Sequence, residues 1–201
     1  MNTTARNRLL GAFLCLVLVG VMAGPASAVV TFNMTAGETT LNTPDGPVPM
    51  WGFGLTSTNL NGTVTPGDGI VKAPGDPLVV PPGETTVTIN LTNNLPNSEP
   101  VSLMILGQSL QTPTLNGGPV FTDGISGPGG PKDPNNFSRR VRSFAHETPA
   151  NGVASYTWNN FRAGTFLLQS GTNPAKQVQM GLYAAAKNDH APGEAYPATL
   201  A

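Results

Sequence analysis

The stretch "APGDPLVVPPGETTVTINLTNNLP" (Ala73–Pro96) decides how the rest of the chain is read. Leu78-Val79-Val80 is a short apolar run of strand length. Pro81-Pro82-Gly83-Glu84 follows as a turn, because proline sets φ and glycine accepts a positive φ. From Thr85 to Leu91 apolar and polar residues alternate, so that Val87, Ile89 and Leu91 share one face. A period of two is that of a half-buried strand; a helix would repeat every 3.6 residues.

The same texture extends in both directions. Upstream, Val30, Phe32 and Met34 alternate with polar neighbours, and Val48 to Leu55 is a second apolar stretch. Pro44-Asp45-Gly46-Pro47 between them is a turn. Downstream, Val101 to Leu106 reads as a strand buried on both faces. Leu110 to Phe137, which contains "SGPGGPKDPNN", reads as a long surface loop. Strand texture returns at Arg139–His146, Ser155–Phe161, Thr165–Gln169 and Val178–Ala186. No amphipathic helix of convincing length and no internal repeat is visible. Many short strands separated by turns, without alternating helices, predict an all-β sandwich. Its expected core is Val87, Ile89, Leu91, Val101, Leu103, Ile105, Tyr156, Trp158, Phe166, Leu168, Val178, Met180 and Leu182.

The N-terminus reads as an export signal. Arg6 and Arg8 precede the apolar run Leu9 to Met22, and Ala26-Ser27-Ala28 closes it. The run is short for a bilayer span of about 20 residues, which favours a signal peptide (1–28) cut after Ala28 over a membrane anchor. No second segment is apolar enough to span a membrane, so the expected location is secreted or periplasmic. Cleavage removes the only cysteine, Cys15, and leaves no disulfide. The remaining 173 residues suffice for one stable domain, burying roughly 70% of their unfolded surface. They carry 8 Lys and Arg against 11 Asp and Glu, a net charge of −3 without a basic stripe, which excludes a nucleic-acid partner.

Three phrases in order carry a family resemblance: Ala73–Pro96, then "VSLMILGQ" (Val101–Gln108), then "HETPANGVASYTWNNFRAGTFLLQSGTNPAKQVQMGLYAA" (His146–Ala185). Together they resemble the first, plastocyanin-like cupredoxin domain of the multicopper oxidases. The resemblance implies a cupredoxin-like Greek-key β-sandwich over residues 29–186, a single domain with a long surface loop. The stretch Val29 to Lys72 matches only in being strand-like, and 187–201 is similar to a linker between domains.

The resemblance also implies where copper ligands would stand. Copper-bearing members carry His-x-His on two strands, and the matching positions here are Met104, Leu106, Gln169 and Gly171. Leu106 and Gly171 offer no donor. Gln169 offers a neutral amide oxygen, a weak donor for copper. Met104 offers a thioether, which suits Cu(I) but not a centre that cycles through Cu(II). The blue copper site needs a Cys with two His, and the chain after residue 28 has no Cys and only His146 and His190. A chain with these residues is expected to hold no cofactor and to have no catalytic residues.

Other candidates have plainer readings. His146 is weighed as a ligand or acid/base with Glu147 against a residue that closes a strand before the Pro149–Gly152 turn. His190 lies in the tail. Met34, Met50, Met104 and Met180 could form a Cu(I) site, with Met104 the foremost contact, or could simply fill irregular core gaps. Arg139, Arg140 and Arg142 read as a solvated face or an edge guard. After residue 28, glycosylation motifs begin at Asn33, Asn61, Asn90 and Asn136.

Two functions of different class follow. One is a copper-free, non-catalytic binding or structural module, in which Met104 and Leu106 fill the former ligand cavity and the partner is another envelope or secreted protein, such as another cupredoxin domain. The other is a subunit or truncated form of a copper-dependent oxidoreductase whose copper and catalytic residues come from other domains or chains.

Overall fold

The computed structural model describes residues 29–111, 120–121 and 141–196. The expected signal peptide, Asn136, Arg139, Arg140 and most of the expected long loop lie outside them.

The described residues open with a hairpin of β1 (Val29–Thr43) and β2 (Gly46–Leu60). The expected turn sits between them, and Gly46 has φ 121°, which a residue with a Cβ adopts only under strain. β3 (Thr63–Pro66) pairs with the end of β2. β4 (Leu78–Val80) and β5 (Thr86–Asn93) flank the expected Pro-Pro-Gly turn. Short strands follow: β6 (Leu103–Ile105), β7 (Leu110–Gln111), β8 (Val120–Phe121) and β9 (Val141–Ser143). The described chain closes with β10 (Val153–Trp158), β11 (Gly164–Ser170), a one-turn helix α1 (Pro174–Gln177) and β12 (Tyr183–Asn188).

Two sheets form a sandwich, ordered β3-β2-β1-β5-β10-β7 and β4-β12-β11-β6; β8 and β9 form a separate ribbon. The chain passes between the sheets from β3 to β4, β4 to β5, β5 to β6, β6 to β7 and β10 to β11, the Greek-key pattern. β5 is central, parallel to β1 and antiparallel to β10. Its alternation puts Val87, Ile89 and Leu91 into the core, opposite Val30, Phe32 and Met34 of β1. Val101, Leu103, Ile105, Tyr156, Trp158, Leu168 and Leu182 are buried as expected. Phe53, Leu78, Val80, Trp51 and Phe161 belong to the same core.

Three expectations are corrected. Val101–Leu106 is not a strand buried on both faces: β6 spans only Leu103–Ile105 and lies at the edge of the four-stranded sheet. Val178 to Leu182 is not strand: Pro174 starts a helical turn, a position that suits its fixed φ and missing N–H, and β12 begins only at Tyr183. Val178 and Met180 are therefore half-buried, as is Phe166. Within the expected surface loop, Leu110–Gln111 pairs with β10 and Val120–Phe121 with β9. β12 itself reaches Asn188, two residues past the expected end of the domain.

Candidate functional site

The four positions matched to copper ligands lie around β6 and β11. These strands pair with Leu168 opposite Ile105, Gln169 opposite Met104 and Ser170 opposite Leu103. Opposed residues of an antiparallel pair share a face. Leu168, Ser170, Leu103 and Ile105 are buried, so Gln169 and Met104 project from the outer side of the sheet, where both are half-buried. Leu106 follows in a turn; its N–H donates to Leu167 O at 2.9 Å and its side chain stays 41% exposed. Met104 and Leu106 thus do not fill an apolar cavity. Met104 lies on the outer face because it alternates with the buried Leu103 and Ile105 in a sheet that meets the core on one side, and Leu106 lies in the turn beyond them.

Gly171 is closed to any side chain. A Cβ there would stand 2.9 Å from Ser102 Oγ and 3.4 Å from Met104 Sδ. Ser102 is held in place, since its hydroxyl lies 2.8 Å from Ser143 Oγ and 3.1 Å from Thr172 Oγ1. Thr172 Oγ1 also reaches Ser143 Oγ at 3.0 Å and Glu147 Oε1 at 3.3 Å, and Ser143 donates to Ala145 O at 2.7 Å. Arg142 pairs with both oxygens of Glu147, its Nε at 3.1 Å from Oε1. Ser170 donates to Gln177 Oε1 at 2.6 Å, and Gln177 Nε2 donates to Pro100 O at 2.8 Å. Buried hydroxyls need partners, and this cluster supplies them while tying β6, β9 and the segment after β11 together. Ser102, Ser143 and Thr172 are at most 2% exposed, so no substrate reaches them. Sequence reading missed the cluster; its only local trace is a serine inside the apolar run Val101–Ile105.

The donor set does not fit the three-copper centre of the resembling family. Two of the four positions carry no donor atom, one carries an amide and one a thioether. At Gly171, Ser102 and Met104 stand where a ligand side chain would start. Among the described residues, no three His, Cys, Asp or Glu side chains group as a metal site.

His146 does not close a strand as expected: β9 ends at Ser143, three residues earlier. Its ring stacks on Tyr156 with centroids 4.2 Å apart and planes at 14°. Burial pushes the imidazole below the usual histidine range, against a backbone hydrogen bond to Ser155. Tyr156 donates to His146 O at 2.9 Å and meets Thr148 Oγ1 at 2.9 Å; burial raises its phenol well above the ordinary range. His190 is exposed in the tail. Met34 lies in the core and Met104 on the outer face, while Met50 and Met180 are half-buried.

Beside Met104 and Gln169 the same outer face carries Leu167, Tyr183 and Ala185, and farther out Val79, 57% exposed. A groove of about 700 Å³ crosses it, between the segment Pro74, Gly75, Asp76, Pro77 and strands β11 and β12.

No protein-family model matches the chain, and no curated protein matches it in sequence. Solved structures do. A multicopper oxidase from Pseudomonas thermotolerans superposes with a TM-score of 0.52 at 16% identity, over 85% of this chain and 31% of that one. A multicopper oxidase from Pediococcus acidilactici gives 0.51 at 19% identity, over 82% of this chain and 27% of that one. The fold is that of the cupredoxin-like domains of multicopper oxidases. The chain spans less than a third of the length of either neighbour. The covered share exceeds Ala73–Ala186, so the structural likeness takes in the upstream strands whose sequence carries no motif.

Proposed function

We propose that this is an exported, copper-free and non-catalytic cupredoxin-like domain of multicopper oxidase type, acting as a binding or structural module in the periplasm or outside the cell. What supports this reading is that the four positions the resemblance matches to ligands hold Met104, Leu106, Gln169 and Gly171, with Ser102 standing against the last. Export is supported by the charge and apolar pattern of residues 1–28. The module docks through the outer face of the four-stranded sheet, where Leu167, Leu106 and Val79 are 40%, 41% and 57% exposed. Its partner is an envelope or secreted protein, such as a further cupredoxin domain.

Metal analysis of the purified protein, expressed with copper present, tests this. Copper far below one ion per chain after dialysis is the expected result. One firmly held copper per chain, with a cupric spectrum and dioxygen consumption, overturns it. The alternative, a subunit or truncated form of an oxidase whose other domains or chains supply copper and catalytic residues, is favoured by the share of its neighbours' length that the chain spans. It predicts copper loading only in complex with those domains.

A further inference from the structure

Beyond Ala36 the first hairpin leaves the body of the sandwich. β5 runs beside β1 only as far as Ala36, whose partner is Asn93, and Asn94 N–H closes that pairing on Ala36 O at 2.8 Å. β2 stays paired with β1 to the Thr43–Gly46 end of the hairpin. From Glu38 to Thr43 and from Gly46 to Met50 no residue is buried. Leu41 and Val48 oppose each other on this arm and are 44% and 42% exposed. A two-stranded ribbon in water is marginally stable without further partners.

The two edges of the arm differ. In an antiparallel pair, opposed residues either exchange main-chain hydrogen bonds with each other or both turn their N–H and C=O away. Trp51 N–H turns away from β1, to Met180 O at 2.7 Å, and Phe53 exchanges two bonds with Lys72 at 3.1 Å. Every second residue of a strand keeps the same sense, so Pro49 and Pro47 also face outward on β2. Proline has no N–H, so that edge is closed to strand addition. The β1 residues opposite Trp51, Pro49 and Pro47 are Glu38, Thr40 and Asn42. They turn outward on the other side, in line with Ala36, and all three are exposed. Among the described residues, none bonds their outward N–H groups. One edge of the arm is guarded and the other is open.

We propose that the open edge of β1, Gly37 to Thr43, pairs antiparallel with the same edge of a second copy of this chain, joining two arms into a four-stranded ribbon. A two-fold interface must be complementary to itself, and this edge is. With Thr40 opposite Thr40 of the second copy, Glu38 meets the second copy's Asn42, a carboxylate against an amide donor, and Thr39 meets its Leu41. No like charges are opposed, and Thr–Thr pairs are favourable across strands. The two Leu41 side chains become diagonal neighbours, which covers part of the arm's exposed apolar surface. In this register Glu38, Thr40 and Asn42 exchange about six main-chain hydrogen bonds with the second copy. The edge is about 23 Å long at strand rise, short for a standard interface, so the dimer is weak and reversible. This surface is apart from the outer face of the four-stranded sheet, and its pairing does not depend on whether the chain holds copper.

Sedimentation equilibrium of the purified protein across about 10⁻⁶ to 10⁻³ M reads the association. A monomer–dimer equilibrium within that range is expected. Thr40→Pro removes the central N–H of the open edge, as Pro49 does on the strand opposite, and proline is tolerated on an edge, so the fold should persist. Dimerisation should weaken at least about tenfold. A second readout does not depend on that variant folding. In the wild type, hydrogen exchange at the amides of Glu38, Thr40 and Asn42 should slow as protein concentration rises. Thr39 and Leu41, whose amides face β2, should not change. The proposal fails if the wild type stays monomeric throughout, which would leave the edge to a different chain or to none. It also fails if folded Thr40→Pro dimerises as tightly as wild type, or if the protection appears elsewhere or without this alternation.

Discussion

The two outer faces of this sandwich are built on opposite principles. On the six-stranded sheet, Asn33, Asn90 and Ser155 line up across β1, β5 and β10. Asn90 donates to Asn33 Oδ1 at 2.9 Å, Ser155 donates to Asn90 Oδ1 at 2.7 Å, and Asn33 donates to Ser57 Oγ at 2.9 Å. One row along, Thr88 and Thr157 hydroxyls meet at 3.1 Å. That face satisfies itself and meets water. On the four-stranded sheet the corresponding rows hold Leu167 beside Ala185 and Gln169 between Met104 and Tyr183, with no such ladder between their side chains. This second face is the more apolar one, with Leu167 40% and Val79 57% exposed. Identical strand geometry gives opposite surfaces because side chains alone decide what a pleat presents.

Neighbours on β11 offer the sharpest way to break this contrast. Leu168 is fully buried and Leu167 is 40% exposed. Leu168→Ala should cost about 2–5 kcal/mol, in the range for a buried leucine truncated to alanine. Leu167→Ala should change stability by less than about 0.5 kcal/mol while reducing binding of a hydrophobic dye. Chemical denaturation and dye fluorescence read both. Equal losses of stability would mean that the face counted as outer is in fact packed.

A smaller effect is expected in the polar ladder. Asn90→Ala removes the residue that joins Asn33 to Ser155 and should cost about 0.5–1.5 kcal/mol, since neighbouring groups can turn to water. A loss above about 3 kcal/mol would show that the ladder braces the sheet and does more than finish its surface.

The smallest effect concerns pH. His146 has its folded-state pKa lowered by burial, so the unfolded chain binds the proton more readily. Its contribution is fully present above the unfolded value near 6.5 and is lost as pH falls from there through the lowered folded value. His146→Phe preserves the stack on Tyr156 and should flatten this part of the stability–pH curve. Parallel curves for the two proteins below pH 6.5 would assign the acid sensitivity to other groups.

Much of this could be read along the chain. The alternation around Ile89 placed β5 correctly, and Pro44-Asp45-Gly46 marked the β1–β2 turn, because both signals are local. The residues at the four positions that the resemblance matches to ligands could also be read, since a side chain's donor atoms are part of its identity. Val101–Leu106 and Val178–Leu182 were misread as strand for one reason: an apolar run says that burial is wanted, not which conformation or which edge supplies it. The hydroxyl cluster left little signal because its members are far apart in sequence, with Ser102 and Ser143 separated by 41 residues.

Sequence alone determined the alternation and turn chemistry of an all-β chain, and that Met, Leu, Gln and Gly occupy the positions the family resemblance matches to ligands. Only the tertiary structure decided that these four border an outer sheet face and that Ser102 closes the space at Gly171. The physical reason is range. Period, turn chemistry and donor type belong to a residue and its immediate neighbours, whereas exposure and hydrogen-bond partnership depend on which distant strand lies alongside.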